Sequence, residues 1–141
     1  MATFNKINSF VEDLAEKVHN LGSDTLKVML TNSAPVATNT VKANLTEISA
    51  GNGYTAGGTA PTISSSAQSS GTYKLVLADV VFTASGGSIG PFRYVVLYND
   101  TPTSPADPLI GWYDYGSSVT IADGETFTVD FDGTNGVLTL A

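Results

Sequence analysis

The side chains able to do chemistry in this chain are few, and their spacing narrows what they could do. There is one histidine, His19, and no cysteine, which rules out a Cys nucleophile and any Cys or multi-His zinc site. His19 falls on the polar side of a helical pattern, where a solvated imidazole is the ordinary outcome. Serines and threonines are plentiful, but none sits in a G-x-S-x-G elbow. Asp114 stands between Tyr113 and Tyr115 with Trp112 next in line, a setting that could raise the pKa of an acid or cradle a sugar. A glycosidase needs a second carboxylate at a set distance, and the spacing supplies none. Asp123, Glu125, Asp130 and Asp132 could gather on one edge and offer oxygens to calcium. The run from Asp130 to Gly136 resembles the start of a calcium loop without its distal Glu. It fits equally the outer face of a strand leading into a hairpin turn. The glycines between Gly51 and Gly58 are not followed by Lys-Ser/Thr, so they do not form a phosphate loop. These residues imply a non-enzyme, with no catalytic residue, no cofactor and no metal.

What remains is surface. The stretch from Phe92 to Gly116 holds the only Trp, four of the six Tyr and half of the six Pro. It predicts two strands, Phe92–Asn99 and Leu109–Tyr115, joined by a proline-bearing loop. Phe92, Tyr94, Val96 and Tyr98 lie on one parity of the first strand; Arg93, Val95, Leu97 and Asn99 lie on the other. A strand apolar on both faces must be covered on both, and in so small a β protein the second cover could be another subunit. Tyr94, Tyr98, Trp112, Tyr113 and Tyr115 could accordingly be core, subunit seam or carbohydrate platform. Arg93 is the one charge embedded there and requires a carboxylate or carbonyl partner, sought first across a subunit boundary.

The elements that position these residues follow from patterning. Apolar residues Phe4, Ile7, Phe10, Val11, Leu14 and Val18 recur at three- and four-residue steps, predicting an amphipathic helix over about 5–20. Its stripe, Phe10 and Leu14 included, must bury against the chain's own sheet or a neighbour. A strand follows at Thr25–Thr31. Residues 49–71 are rich in Gly, Ser and Thr and predict a long arm, with Tyr54 among its few anchors, of the kind that is often functional or ordered by a partner. A short strand could form near Thr62–Ser66, Thr72–Leu77 and Val80–Ala84 read as either one bulged strand or two, and further short strands are expected at Ser118–Ile121, Thr126–Asp132 and Val137–Leu140. The spacing predicts one mainly β domain over 1–141, an antiparallel β-sandwich or barrel with a jelly-roll-like order as one option, and one short N-terminal amphipathic helix.

Composition bounds the partners. The 141 residues carry a net charge of −7 with only six Lys plus Arg, scattered rather than clustered, which argues against nucleic acid. No apolar run reaches the length of a membrane span. The N-terminus lacks a basic region followed by an apolar one, so the chain is expected to fold where it is made, in a cytoplasm.

The succession RYVVLYND, proline loop, PLIGWYDYG and TFTVDFDGTNGVLTL, with ISAGNGYTAGG earlier at Ile48–Gly58, resembles small β-rich structural proteins of tailed bacteriophage virions. The likeness runs from Leu45 to Ala141. It implies a capsid decoration or cement protein on the virion surface, assembled in the host cytoplasm and bound to the major capsid protein lattice, commonly as a homotrimer. Arg93, Tyr94, Tyr98, Trp112, Tyr113, Tyr115, Tyr54, Phe10 and Leu14 are then the expected subunit-interface residues. A tail, neck or baseplate component is the alternative within the virion, and a carbohydrate-binding module using Trp112 and Tyr113 the alternative outside it.

Overall fold

In a computed structural model, whose described residues are 2–141, the chain runs through nine strands and one α-helix, with a single 3-10 turn at Lys42–Asn44. These are β1 (Asn5–Lys6), α1 (Ser9–Ala15), β2 (Leu26–Thr31), β3 (Ile63–Ser69), β4 (Thr72–Leu77) and β5 (Val80–Thr83), then β6 (Ile89–Asn99), β7 (Leu109–Ile121), β8 (Thr126–Val129) and β9 (Leu138–Leu140). They form three antiparallel sheets, ordered β1-β7-β6-β2, β3-β4-β9 and β5-β8. One contiguous cluster of buried side chains joins all three, from Met29 and Val96 through Leu75 to Phe82 and Val129. The fold is therefore mainly β and sandwich-like, with one short helix near the N-terminus. Among the described residues no helix is long and apolar enough to cross a membrane.

The β6–β7 pair is the frame. Val95 lies opposite Tyr113, Val96 opposite Trp112 and Leu97 opposite Gly111, while β2 pairs along the other side of β6. Both faces of β6 are covered, as its double apolar pattern requires, but the second cover is this chain's own. Residues 36–48 supply it: the Lys42 ammonium sits 5.8 Å over the Tyr98 ring, Leu45 packs on the core and the Thr46 carbonyl accepts the Thr31 hydroxyl. A region whose residues 32–45 read as a polar connection thus helps close a face that another subunit could have covered.

The expected strands Leu109–Tyr115 and Ser118–Ile121 are a single strand with a broad bulge. Tyr94 pairs with Asp114 and Phe92 with Val119, so four residues of β7 stand against Arg93 alone. Gly116, at φ +100°, sits within this bulge, a conformation that costs glycine little. Val80–Ala84, by contrast, separates cleanly from Thr72–Leu77 into another sheet, with β5 on β8 and β4 between β3 and β9.

The expected helix over 5–20 is cut to Ser9–Ala15. Asn5 and Lys6 are taken by β7, opposite Trp112 and Gly111, and the Ile7 N–H donates to the Ile110 carbonyl. Lys17 at φ +70° ends the helix well before Gly22. The apolar spacing still does its work. Ile7 and Phe10 are buried and Leu14 half-buried, because a strand, a turn and two helical turns carry the same residues onto the sheet. The helix packs on the chain's own β7.

The Gly-rich arm is likewise docked. Thr59 exchanges both backbone hydrogen bonds with Val28, the Tyr54 hydroxyl accepts the Leu30 N–H, and the Ile48 N–H donates to the Leu30 carbonyl. Every one of these groups lies on the outer edge of β2, so the arm closes an edge that would otherwise expose unpaired donors and acceptors. Gly58 is required there. Its φ is +82°, and a Cβ would collide with the Val28 carbonyl.

Candidate functional site

The residues expected at a subunit interface divide into three groups. Phe10, Tyr54 and Tyr98 are buried in the chain's own core, which removes them from any interface of the folded protein. Phe10 lies against the His19 ring at 5.2 Å, and Tyr54 against Phe82 at 5.7 Å. The Tyr98 hydroxyl donates to the Gly57 carbonyl at 2.6 Å. Burial is the main cause that pushes both the Tyr54 and the Tyr98 phenols above the ordinary tyrosine range, and both stay protonated donors.

Arg93, Tyr94, Trp112 and Leu14 are half-buried. The partner of Arg93 lies in the same chain, not across a subunit boundary. Its Nε and Nη2 donate to the two carboxylate oxygens of Asp114 at 2.8 and 3.0 Å, and its guanidinium lies 5.4 Å from the Tyr94 ring centre. This bidentate fork, together with the Gly116 N–H, holds the Asp114 carboxyl below its usual range. Asp114 is therefore an ionised partner, the opposite of a protonated catalytic acid. Trp112 and Tyr113 are adjacent on one strand and point to opposite faces, so they cannot share a platform.

Tyr113 and Tyr115 do come together. With Val95, Phe127, Thr128, Val129, Asp130 and Ala2 they line an open groove of about 330 Å³ between β7 and β8. The Tyr113 ring packs on Phe4 and Phe131 at 5.4 and 6.2 Å, and Tyr115 packs edgewise on Phe127 at 5.5 Å. Burial, and then the nearby Asp132 carboxylate, push the Tyr113 phenol up to about 12. Tyr115 is 55% exposed, turned outward by the β7 bulge. Phe127 belongs to this group as much as to the core. Its strict alternation with Val129 and Phe131 gave no hint of that, since both roles use the inward face.

The acidic residues near the C-terminus brace turns. Asp132 accepts the N–H groups of Thr134 and Asn135 at 2.9 and 2.7 Å and the Asn135 amide at 2.8 Å, contacts that lower its pKa. Asp123 accepts the Gly86 N–H and Glu125 the Ala122 N–H. Among the described residues, no three His, Asp or Glu side chains stand together as a metal-binding group.

Two polar centres escape the sequence pattern. His19 is 5% exposed, not solvated. Asn99 Nδ2 donates to both Asp24 and His19 Nδ1, while Asn99 Oδ1 accepts the Thr101 N–H. That arrangement fixes the amide and makes Nδ1 an acceptor, which leaves the imidazole proton on Nε2. Burial lowers the His19 pKa, against the opposing pull of Asp24. The second centre is Glu47. Its Oε1 accepts the Tyr54 hydroxyl and the Gly57 N–H, both at 2.6 Å, and its Oε2 pairs with Lys42 at 3.1 Å. His19 borders a shallow groove with Lys17, Ser66 and Tyr73, and Glu47 borders another with Asn32, Thr46 and Ser49. No family model, no curated protein and no solved structure matches this chain.

Proposed function

We propose that this chain is a non-enzymatic structural protein of a virion, one that decorates or cements a tailed-phage capsid by binding the major capsid protein lattice. The observation that carries the reading is the exposed aromatic groove at the β7 bulge. Tyr113, Tyr115 and Phe127 are its ring lining, presented beside a low-charge β surface. Aromatic rings gathered at the surface are enriched in interface cores, and Asp130 stands at the margin of this one. The homotrimer that the resemblance implies would be formed through surfaces other than Phe10, Tyr54 and Tyr98.

Fractionation of purified particles tests this, with the chain detected by mass spectrometry. Enrichment in the head fraction supports the proposal; enrichment in tails or baseplates supports the alternative place in the virion; absence from both overturns both. A sugar-binding reading survives only on Tyr115 and Tyr113, the pair that shares the groove with Asp130. Glycan-array binding lost in Tyr115→Ala, with folding intact, would support that reading, and a blank array would end it.

A further inference from the structure

The three sheets treat their edges differently. The outer edge of β2 is closed by the arm through Thr59, Tyr54 and Ile48. The β1 side of β7 is occupied at Trp112 and Gly111, with the Phe4 ring over Gly111. Among the described residues the outer sides of β5, β8 and β9 carry no strand partner, but these strands have four residues or fewer, and β3, with seven, is the longest sheet-ending strand left open. It ends the β3-β4-β9 sheet, no described residue pairs with its outer side, and most of Ile63–Ser69 is exposed.

The hairpin chemistry says which groups face outward. Ser70 and Gly71 both have positive φ, 51° and 84°, the two-residue turn that places its flanking residues in a hydrogen-bonded pair. Ser69 and Thr72 are that pair, and Ala67 with Lys74 is the next of the same kind. The N–H and C=O groups of Ser66 and Gln68 therefore point away from β4, toward open solvent. This is a template for another strand.

Nothing on the strand opposes such pairing. Natural edges are guarded by lysine, proline or inward-pointing charge, yet no charged residue stands anywhere between Glu47 and Lys74. The only irregularity is the register shift between Ile63 and Ser65, which leaves Ser65–Ser69 as the regular part, centred on Ala67. From these features we infer that β3 pairs with β3 of a second copy, antiparallel across a two-fold axis at Ala67. The choice of a second copy follows from charge. A chain at −7 carries net self-repulsion, and this uncharged edge lets two copies meet without like charges opposed. A charged foreign segment would find no complementary group here.

In this arrangement Ser66 of one copy exchanges backbone hydrogen bonds with Gln68 of the other. The two Ala67 residues then face each other as a non-hydrogen-bonded pair, with Cα atoms about 4.5 Å apart. The contact is isologous, so it joins chains, or any larger cyclic assembly of them, in pairs. It is small against the roughly 1,600 Å² of a standard interface, and the pairing is concentration-dependent. It lies on a different sheet from the aromatic groove and holds whether or not that groove meets a capsid lattice.

Because the protein has no cysteine, single-cysteine variants give a clean test on the purified full chain. Ala67→Cys is expected to form a disulfide-linked dimer on mild oxidation, since the facing Cα separation lies within disulfide range. Val81→Cys, also at an exposed position, on β5, is expected to remain monomeric on the same timescale. Ala67→Lys is expected to lower the weight-average mass in light scattering at high concentration while leaving the circular dichroism spectrum unchanged. Cross-linking of Ala67→Cys no faster than of Val81→Cys would overturn the pairing. So would a wild-type mass that stays at one copy across the accessible concentration range.

Discussion

The polar side chains of this protein are spent on holding its own backbone, and their contributions can be weighed one at a time. Glu47 serves three partners from a site that is 16% exposed. Glu47→Ala leaves the Tyr54 hydroxyl and the Gly57 N–H without their acceptor, and each buried unsatisfied group costs about 1–3 kcal/mol. Urea denaturation is expected to show a loss on that order, with an unchanged m-value. His19 contributes a pH dependence just below neutrality, above the range in which Asp114 and Asp132 titrate. Its folded pKa lies below the ordinary value of 6.5, so the unfolded chain binds the proton more readily. The stability it contributes is complete above about pH 6.5 and falls as the pH drops from there toward the folded pKa. A proton on Nδ1 would also face the Asn99 Nδ2 donor, breaking the 3.1 Å contact. Denaturation at a series of pH values, compared with His19→Gln, should show a slope in that window that the variant lacks. A titration of His19 at its ordinary value by NMR would contradict this.

Among the elements, the arm and the β6–β7 ribbon decide the architecture, and both depend on backbone geometry. Gly58→Ala adds roughly 1–3 kcal/mol of dihedral strain at a positive φ and puts a Cβ into the Val28 backbone carbonyl, so the arm must shift off β2. Hydrogen exchange is expected to accelerate at the Val28 and Leu30 amides, which the arm covers, while Val96 and Leu97 in the central ribbon keep their protection. The strands were largely legible from alternation and turn residues: Leu26–Thr31, Thr72–Leu77 and the Phe127–Val129 parity all follow the pleat. The helical period of Phe4, Ile7 and Phe10 extends past the helix itself, because β7 takes Asn5 and Lys6 into its sheet. The second cover of β6 is not legible in the pattern because residues 32–45 read as a polar connection; the contribution of this region comes from Leu45, the Lys42 stem and backbone hydrogen bonds, which periodicity does not register. Of the aromatic cluster, Tyr113 and Tyr115 form a surface feature, whereas Tyr54 and Tyr98 turn inward through hydroxyl partners forty or so residues away or on another element.

For the whole molecule, the stretch from Phe92 to Gly116 is a frame closed by its own chain, with one aromatic groove left open at the β7 bulge. A folded, self-covered domain with a localised apolar surface suits a protein that binds a repeating lattice, where many weak copies gain by avidity. Substituting Tyr115, exposed and packed only edgewise on Phe127, should leave stability nearly unchanged and act on binding alone. Co-sedimentation of the purified chain with capsid shells stripped of it measures this directly. The expected result is saturable binding by the wild-type chain, in fixed ratio to the major capsid protein, with Tyr115→Asp left in the supernatant though fully folded. Wild-type protein that stays in the supernatant at every concentration, or Tyr115→Asp that pellets equally well, would contradict the account.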